Sequence, residues 1–289
     1  MRVRRSAWVR CQTASWSRSR PFCRSKHRRG AVRSGRQVGG GRVSMICEIC
    51  VDSVAGVRAA KDAKAQRVEL CADLLEGGLT PSLGMIRQAR TVSGIDLNVM
   101  IRPRGGDFLF NEDEFAAMRA DIETAKAEGA NGVVIGLLTG AGEIDADRTR
   151  ELVALARPLS VTFHRAFDVA AEPFGALETL IDLGVDRVLT SGQEPSVLEG
   201  LPLIVELMKL ASDRIIIMPG AGITARNVER IVVAARPREM HFAALEPVAS
   251  DMRFRRPHVF MGGELRPPEY DRLDTSQALI RSVMAKASS

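Results

Sequence analysis

QRVELCADLLEGGLTPS, residues 66–82, sets the problem of the fold. Val68 and Leu70 point one way along a strand, while Arg67, Glu69 and Cys71 point the other. The helix-like SVAGVRAAKDAKA precedes it, and a turn-rich loop with Gly77, Gly78 and Pro81 follows. A strand flanked by helices is normally apolar on both faces. An arginine, a carboxylate and a thiol on one face therefore need a polar place to point.

Working outward, the same alternation of short β-rich runs and helical stretches recurs from Met45. The runs are 45–50, 67–71, 97–103, 132–138, 159–165, 186–192, 214–220 and 238–243. The helix-to-strand joint repeats as GANGVVI at 129–135 and GVDRVLT at 184–190, with glycine where a helix ends in a left-handed residue. Eight strands alternating with eight helical stretches predict an α/β fold, a single (β/α)8 TIM barrel over residues 45–289. A doubly wound open sheet is the alternative, but no glycine-rich phosphate fingerprint follows the first strand. SDMRFRRPHVFMGGELRPPEY, rich in proline and glycine, is expected to be a long irregular loop after strand 8, before a last helix in TSQALIRSVMAKA.

Composition divides the chain. The formal net charge is +6, yet residues 1–44 hold thirteen Arg or Lys and no acid, leaving 28 basic against 35 acidic residues, or −7, for residues 45–289. The folded domain is acidic, which argues against nucleic acid as its partner. The Arg/Ser/Gly-rich tail, residues 1–44, lacks apolar periodicity and is expected to be disordered. A start site assigned upstream of Met45, a transit peptide and an anionic-surface arm are its competing origins. No stretch reads as a secretory or membrane-spanning segment. Five cysteines, an odd and sparse set, point to a reducing cytoplasm rather than a disulfide framework.

In a barrel, the polar strand face looks inward. Glu48 and Cys50 on strand 1 obey the same rule as Arg67, Glu69 and Cys71 on strand 2, with the cysteines nearest the C-terminal rim. Strand 3 brings Arg102 and Arg104, followed by Asp107. FHRAFD places His164, Arg165 and Asp168 at the end of strand 5. Gly220 and Gly222, in MPGAGIT before a helix with Thr224 as its expected N-cap, offer backbone N–H groups to an anion, and TSGQ at 190–193 adds donors. Structural alternatives stand beside each: a buried Arg67–Glu69 pair fixes strand register, free cysteines pack as small hydrophobes, His164 sits as a core histidine and Asp168 caps a turn. Cys47 and Cys50 form a C-x-x-C but fall on opposite strand faces, so they do not chelate one ion.

EICVDSV, RVELCADLLEGGLTPSLG, MIRPRGGDF, VTFHRAFD, DRVLTSGQ and IMPGAGIT closely resemble the CutC family, copper homeostasis proteins, in register from Met45 to about Gly262. The resemblance implies a cytoplasmic TIM barrel that binds Cu(I), with Cys50 and Cys71 as the metal ligands. One departure is His241-Phe242-Ala243-Ala244, where the family pattern runs His, a variable residue, Ser, Ala. Two thiolates leave the other polar residues unused. A second expectation is therefore an enzyme acting on a small phosphorylated or carboxylated anion. It takes Arg67, Arg102, Arg104, Asp107, Arg165, Gly220 and Gly222 as binding residues and Glu48, Glu69, His164 and Asp168 as acid/base groups. A homo-oligomer is compatible with either reading.

Overall fold

The structure, a computed structural model, describes residues 45–261 and 271–288; the expected disordered tail lies outside them. The described residues belong to one compact unit. Eight parallel strands form the barrel: β1 Ile46–Val51, β2 Arg67–Leu70, β3 Asp96–Met100, β4 Gly132–Ile135, β5 Ser160–Phe163, β6 Arg187–Thr190, β7 Ile216–Pro219 and β8 Glu239–Ala243. Seven helices alternate with them: α1 Val54–Asp62, α2 Leu83–Arg90, α3 Glu112–Ala127, α4 Ala146–Ala156, α5 Pro173–Asp182, α6 Val197–Ala211 and α7 Val228–Ala235. The ladder order is β7-β6-β5-β4-β3-β2-β1-β8. A single bridge from Gly220 to His241 joins its two ends. That joint explains Gly220 without an anion, because a side chain there would run into Leu189.

Local chemistry sets the helix limits. Asn111 caps α3 by accepting from the Glu114 N–H, and the Glu114 side chain returns to the Asn111 N–H. Glu112, Asp113 and Glu114 favour the positive end of the helix dipole. Phe115, Met118, Ile122 and Ala125 turn one stripe onto the barrel, and Gly129, at φ +80°, ends the run. Val68 and Leu70 are fully buried under the helices, as are Ile49 and Val51 of β1. Cys47 packs in that helix-side core, away from Cys50, and burial pushes its thiol up to about 11.

Two boundaries differ from the sequence reading. The segment after β8 is not wholly irregular: β9 Leu245–Ala249 and β10 Asp271–Thr275 pair antiparallel, so the proline- and glycine-rich loop hangs from a ribbon. From there Ser276 caps α8, Gln277–Ala287. Thr224 is also not an N-cap. It opens a turn closed by Asn227, whose side chain accepts from the Thr224 N–H and donates to the Gly222 carbonyl, and α7 starts only at Val228. Among the described residues no helix is long and apolar enough to cross a membrane.

Candidate metal and ligand site at the barrel mouth

The inward-facing polar residues sort into two layers. The lower one is ionic. Arg67 donates to both Glu48 and Glu239 and reaches the Met218 Sδ at 3.4 Å. Arg187 pairs with Glu239 at 3.0 Å and donates to Ser160 and Thr162. Asn98 gives a further bond to Glu48 at 3.0 Å. Every charge in this layer has a partner, as burial requires. Arg67 is 5% exposed and does not line the mouth pocket, so it holds strands together rather than meeting a ligand. Its partners are Glu48 and Glu239, not Glu69.

Above this layer lies the mouth. Cys50 on β1 is half-buried, and Cys71, one residue beyond β2, is 1% exposed. Their Sγ atoms stand 4.0 Å apart, and Cys71 donates to Glu69 at 3.5 Å. His241 on β8 lies opposite Glu48 in the strand register. Its Nδ1–H donates to Glu48 at 2.9 Å, and its Nε2 is 3.7 Å from Glu69. Ligand atoms of Cys50, Glu69 and Cys71 all lie within 4.8 Å of one another, as do those of Glu48, Glu69 and His241.

These contacts shift the titrations in distinct directions. The hydrogen bond from Cys71, helped by His241, outweighs burial and lowers Cys50 to about 5. The contact with the Cys50 sulfur, together with burial, pushes Cys71 up. Burial raises Glu69 to about 8. Burial also opposes the charge on Glu48, but the hydrogen bond from His241 and the Arg67 charge prevail and hold it down to about 2. Burial works against a charged His241, and its carboxylate and thiolate neighbours overcome that and raise it. Of the two thiols Cys50 is thus the more acidic, and it lies beside the His241 imidazole.

The pocket encloses about 310 Å³ and reaches from Cys50, Glu69 and His241 to Arg102, His164 and Arg165. His164, 3% exposed, lies across the barrel from the thiols. The strand-5 and strand-6 loops are tied together by Asp168, which accepts from the Ser191 and Gln193 N–H groups, from the Thr190 and Ser191 hydroxyls, and from Arg165 at 2.7 Å. The donors of TSGQ are thus occupied by the protein's own carboxylate. Asp168 is a fastener with no lone pair left for acid/base work. Arg104 and Asp107 do not line the pocket: Arg104 leaves it to pair with Asp107 and with Glu114 at 2.6 Å, beside the Phe110 ring. Gly220 and Gly222 also fall outside it.

Sequence reasoning left out His241, Glu239 and Arg187. The first two were within reach, since Glu239 and His241 share the inward face of REMHFA by simple alternation.

The fold and the site define a class: a TIM-barrel protein whose mouth combines two soft sulfur donors with a polar pocket. Residues 45–245 match the family model described as the CutC family. The copper homeostasis protein cutC homolog of Homo sapiens is 46% identical over 263 residues, 91% of this chain and 96% of the human one. The family protein CutC of Mesorhizobium japonicum is 48% identical over 84% of this chain and 94% of its own. The crystal structure of CutC from Streptococcus agalactiae superposes with a TM-score of 0.66 at 34% identity, covering 68% of this chain and 98% of that one. The chain belongs to the CutC family.

Proposed function

We propose that this protein serves copper homeostasis by holding Cu(I) as cargo between Cys50 and Cys71, in a reducing cytoplasm where both thiols persist. The observation that carries the reading is the 4.0 Å gap between the two Sγ atoms. Metal–sulfur bonds of about 2.3 Å, the length of a zinc–thiolate bond, span such a gap at a bent angle and leave room for a third donor. Glu69 and His241 stand on that side. Thiolate is the soft ligand type that selects Cu(I), and the relatives named copper homeostasis proteins support the assignment.

Cys50 is held down and Cys71 is pushed up, so Cys71 is the thiol that gives up its proton to the metal. Binding is thus expected to release about one proton and to tighten as pH rises. The test is an anaerobic Cu(I) titration against a competing chelator. One ion should bind, and Cys50→Ser and Cys71→Ser should each weaken binding by more than the roughly 10–100-fold that loss of a supporting residue costs. Binding that ignores both substitutions sinks the reading.

A second reading, an enzyme acting on a small anion, is favoured by one arrangement. Glu48 orients His241 through Nδ1, next to the Cys50 thiolate, as a carboxylate orients the base of a thiol nucleophile. Turnover of a small anionic substrate that disappears in Cys50→Ser while copper has been chelated away would favour it over cargo binding.

A further inference from the structure

The pocket volume of about 310 Å³ is many times what one ion or one water molecule needs, and of the two thiols only Cys50 lines it. The rest of its lining carries two orphaned donors, His164 at the end of β5 and Arg102 just beyond β3. His164 Nδ1 accepts the Ala166 N–H at 3.1 Å, which assigns the ring proton to Nε2. That Nε2–H is buried without a hydrogen-bond partner. Burial, reinforced by the Arg102 charge, holds His164 down to about 3, so the ring is a neutral donor at physiological pH.

Arg102 is the second donor. It is 7% exposed, and its three hydrogen bonds run to the backbone carbonyls of Glu76, Gly78 and Gly106 at 2.6, 3.1 and 3.0 Å. Its Nε has no partner. A guanidinium stays charged, and no described carboxylate forms an ion pair with this one; Glu76, the acid acting on it most, packs its side chain against Gly105. Between the two donors lies Phe108, with its ring centre 5.1 Å from that of His164 and 5.2 Å from the Arg102 Cζ. A buried donor without an acceptor is costly, and two of them on one wall mark the place of an absent acceptor.

We propose that this wall binds a small organic carboxylate, whose oxygens accept from His164 Nε2–H and Arg102 Nε–H while its carbon skeleton lies on Phe108 and Met100. We assign a carboxylate because two orphaned N–H groups match the two oxygens of one carboxylate. The strand-6 loop N–H groups of Ser191 and Gln193 already donate to Asp168. The inference does not depend on the thiols. It makes the mouth a two-part site, in which an anion clamp adjoins the soft metal donors.

Calorimetric titration of the full chain with pyruvate, malate, citrate and inorganic phosphate tests it. His164→Asn keeps an oxygen for the Ala166 N–H but lacks the ring donor, and Arg102→Lys keeps the charge without the fork. At least one carboxylate is expected to bind in the millimolar range or tighter. Each variant should weaken it by about ten- to a hundredfold, the equivalent of one hydrogen bond to a charged group. Arg104→Ala, outside the pocket, should leave it unchanged. Absence of carboxylate binding, binding of phosphate alone, or carboxylate binding indifferent to both variants overturns the proposal. The copper titration reads the cysteine variants and this one reads His164 and Arg102, so either can fail while the other stands.

Discussion

The barrel interior contains two polar regions a few ångströms apart in height, and they are built on opposite terms. Below, Glu48, Arg67, Glu239 and Arg187 bind one another until no charge is left over. Above, Glu69, Arg102 and His164 each keep a buried polar atom without a partner. Both regions bear the desolvation of ionisable groups. The charges of the lower one recover it within the protein, where only the Asn98 Oδ1 is left over, while the mouth leaves three such atoms open. The difference separates residues paired within the protein from residues that the proposed ligands would pair, although the two kinds alternate along the same strands.

Breaking the lower region should therefore have the largest effect. Arg67→Met leaves Glu48 and Glu239 with reduced compensation, and chemical denaturation should show a loss of about 3–5 kcal/mol. A loss below about 1 kcal/mol would mean that water or a rearranged Arg187 takes over, and the two regions would no longer be distinct.

At the mouth, Gly136→Ala should be the next most damaging. A side chain there collides with the His164 ring and stands 3.0 Å from the Ala166 Cβ. Overpacking of this kind costs about 1–3 kcal/mol, and it should displace His164 as an anion donor without touching the thiols. Copper binding retained alongside lost carboxylate binding would sharpen the division of the mouth into two walls.

The pH dependence of stability probes His164 more gently. Its folded-state value of about 3 lies below the ordinary 6.5. The unfolded chain therefore binds more protons between these limits, and stability falls as pH drops through that window. Between about pH 7 and pH 5 the contribution amounts to roughly 1–2 kcal/mol. Urea unfolding at the two pH values should show a shallower decline in His164→Asn than in the parent. His241 works in the other sense: its raised value adds stability that is present below 6.5 and lost as pH rises through the folded-state value. Subtracting the His164→Asn profile isolates the first effect from the second.

The smallest effect is expected at Arg104, whose pairs with Asp107 and Glu114 lie in a solvent-facing loop. Exposed ion pairs contribute little. Arg104→Ala should barely move the melting temperature and should leave both copper and carboxylate binding intact; a large change in either would put the strand-3 loop back into the site.

The sequence by itself determined the barrel and the inward set Glu48, Cys50, Arg67, Glu69 and Cys71. Strand alternation is a local property with a period of two, and the βα spacing leaves few topologies for eight such strands. His241 was legible by the same rule. Tertiary structure alone decided what each inward residue does. Arg67 and Arg102 are both buried arginines near strand ends, yet one meets two carboxylates and the other only carbonyls, because partners come from strands far apart in the chain. The loops were the least legible part. Asp168, Arg104 and Gly220 read as site groups in one dimension, but the folded protein supplies their partners itself, and a polar group already satisfied by its own chain has little left to offer a ligand.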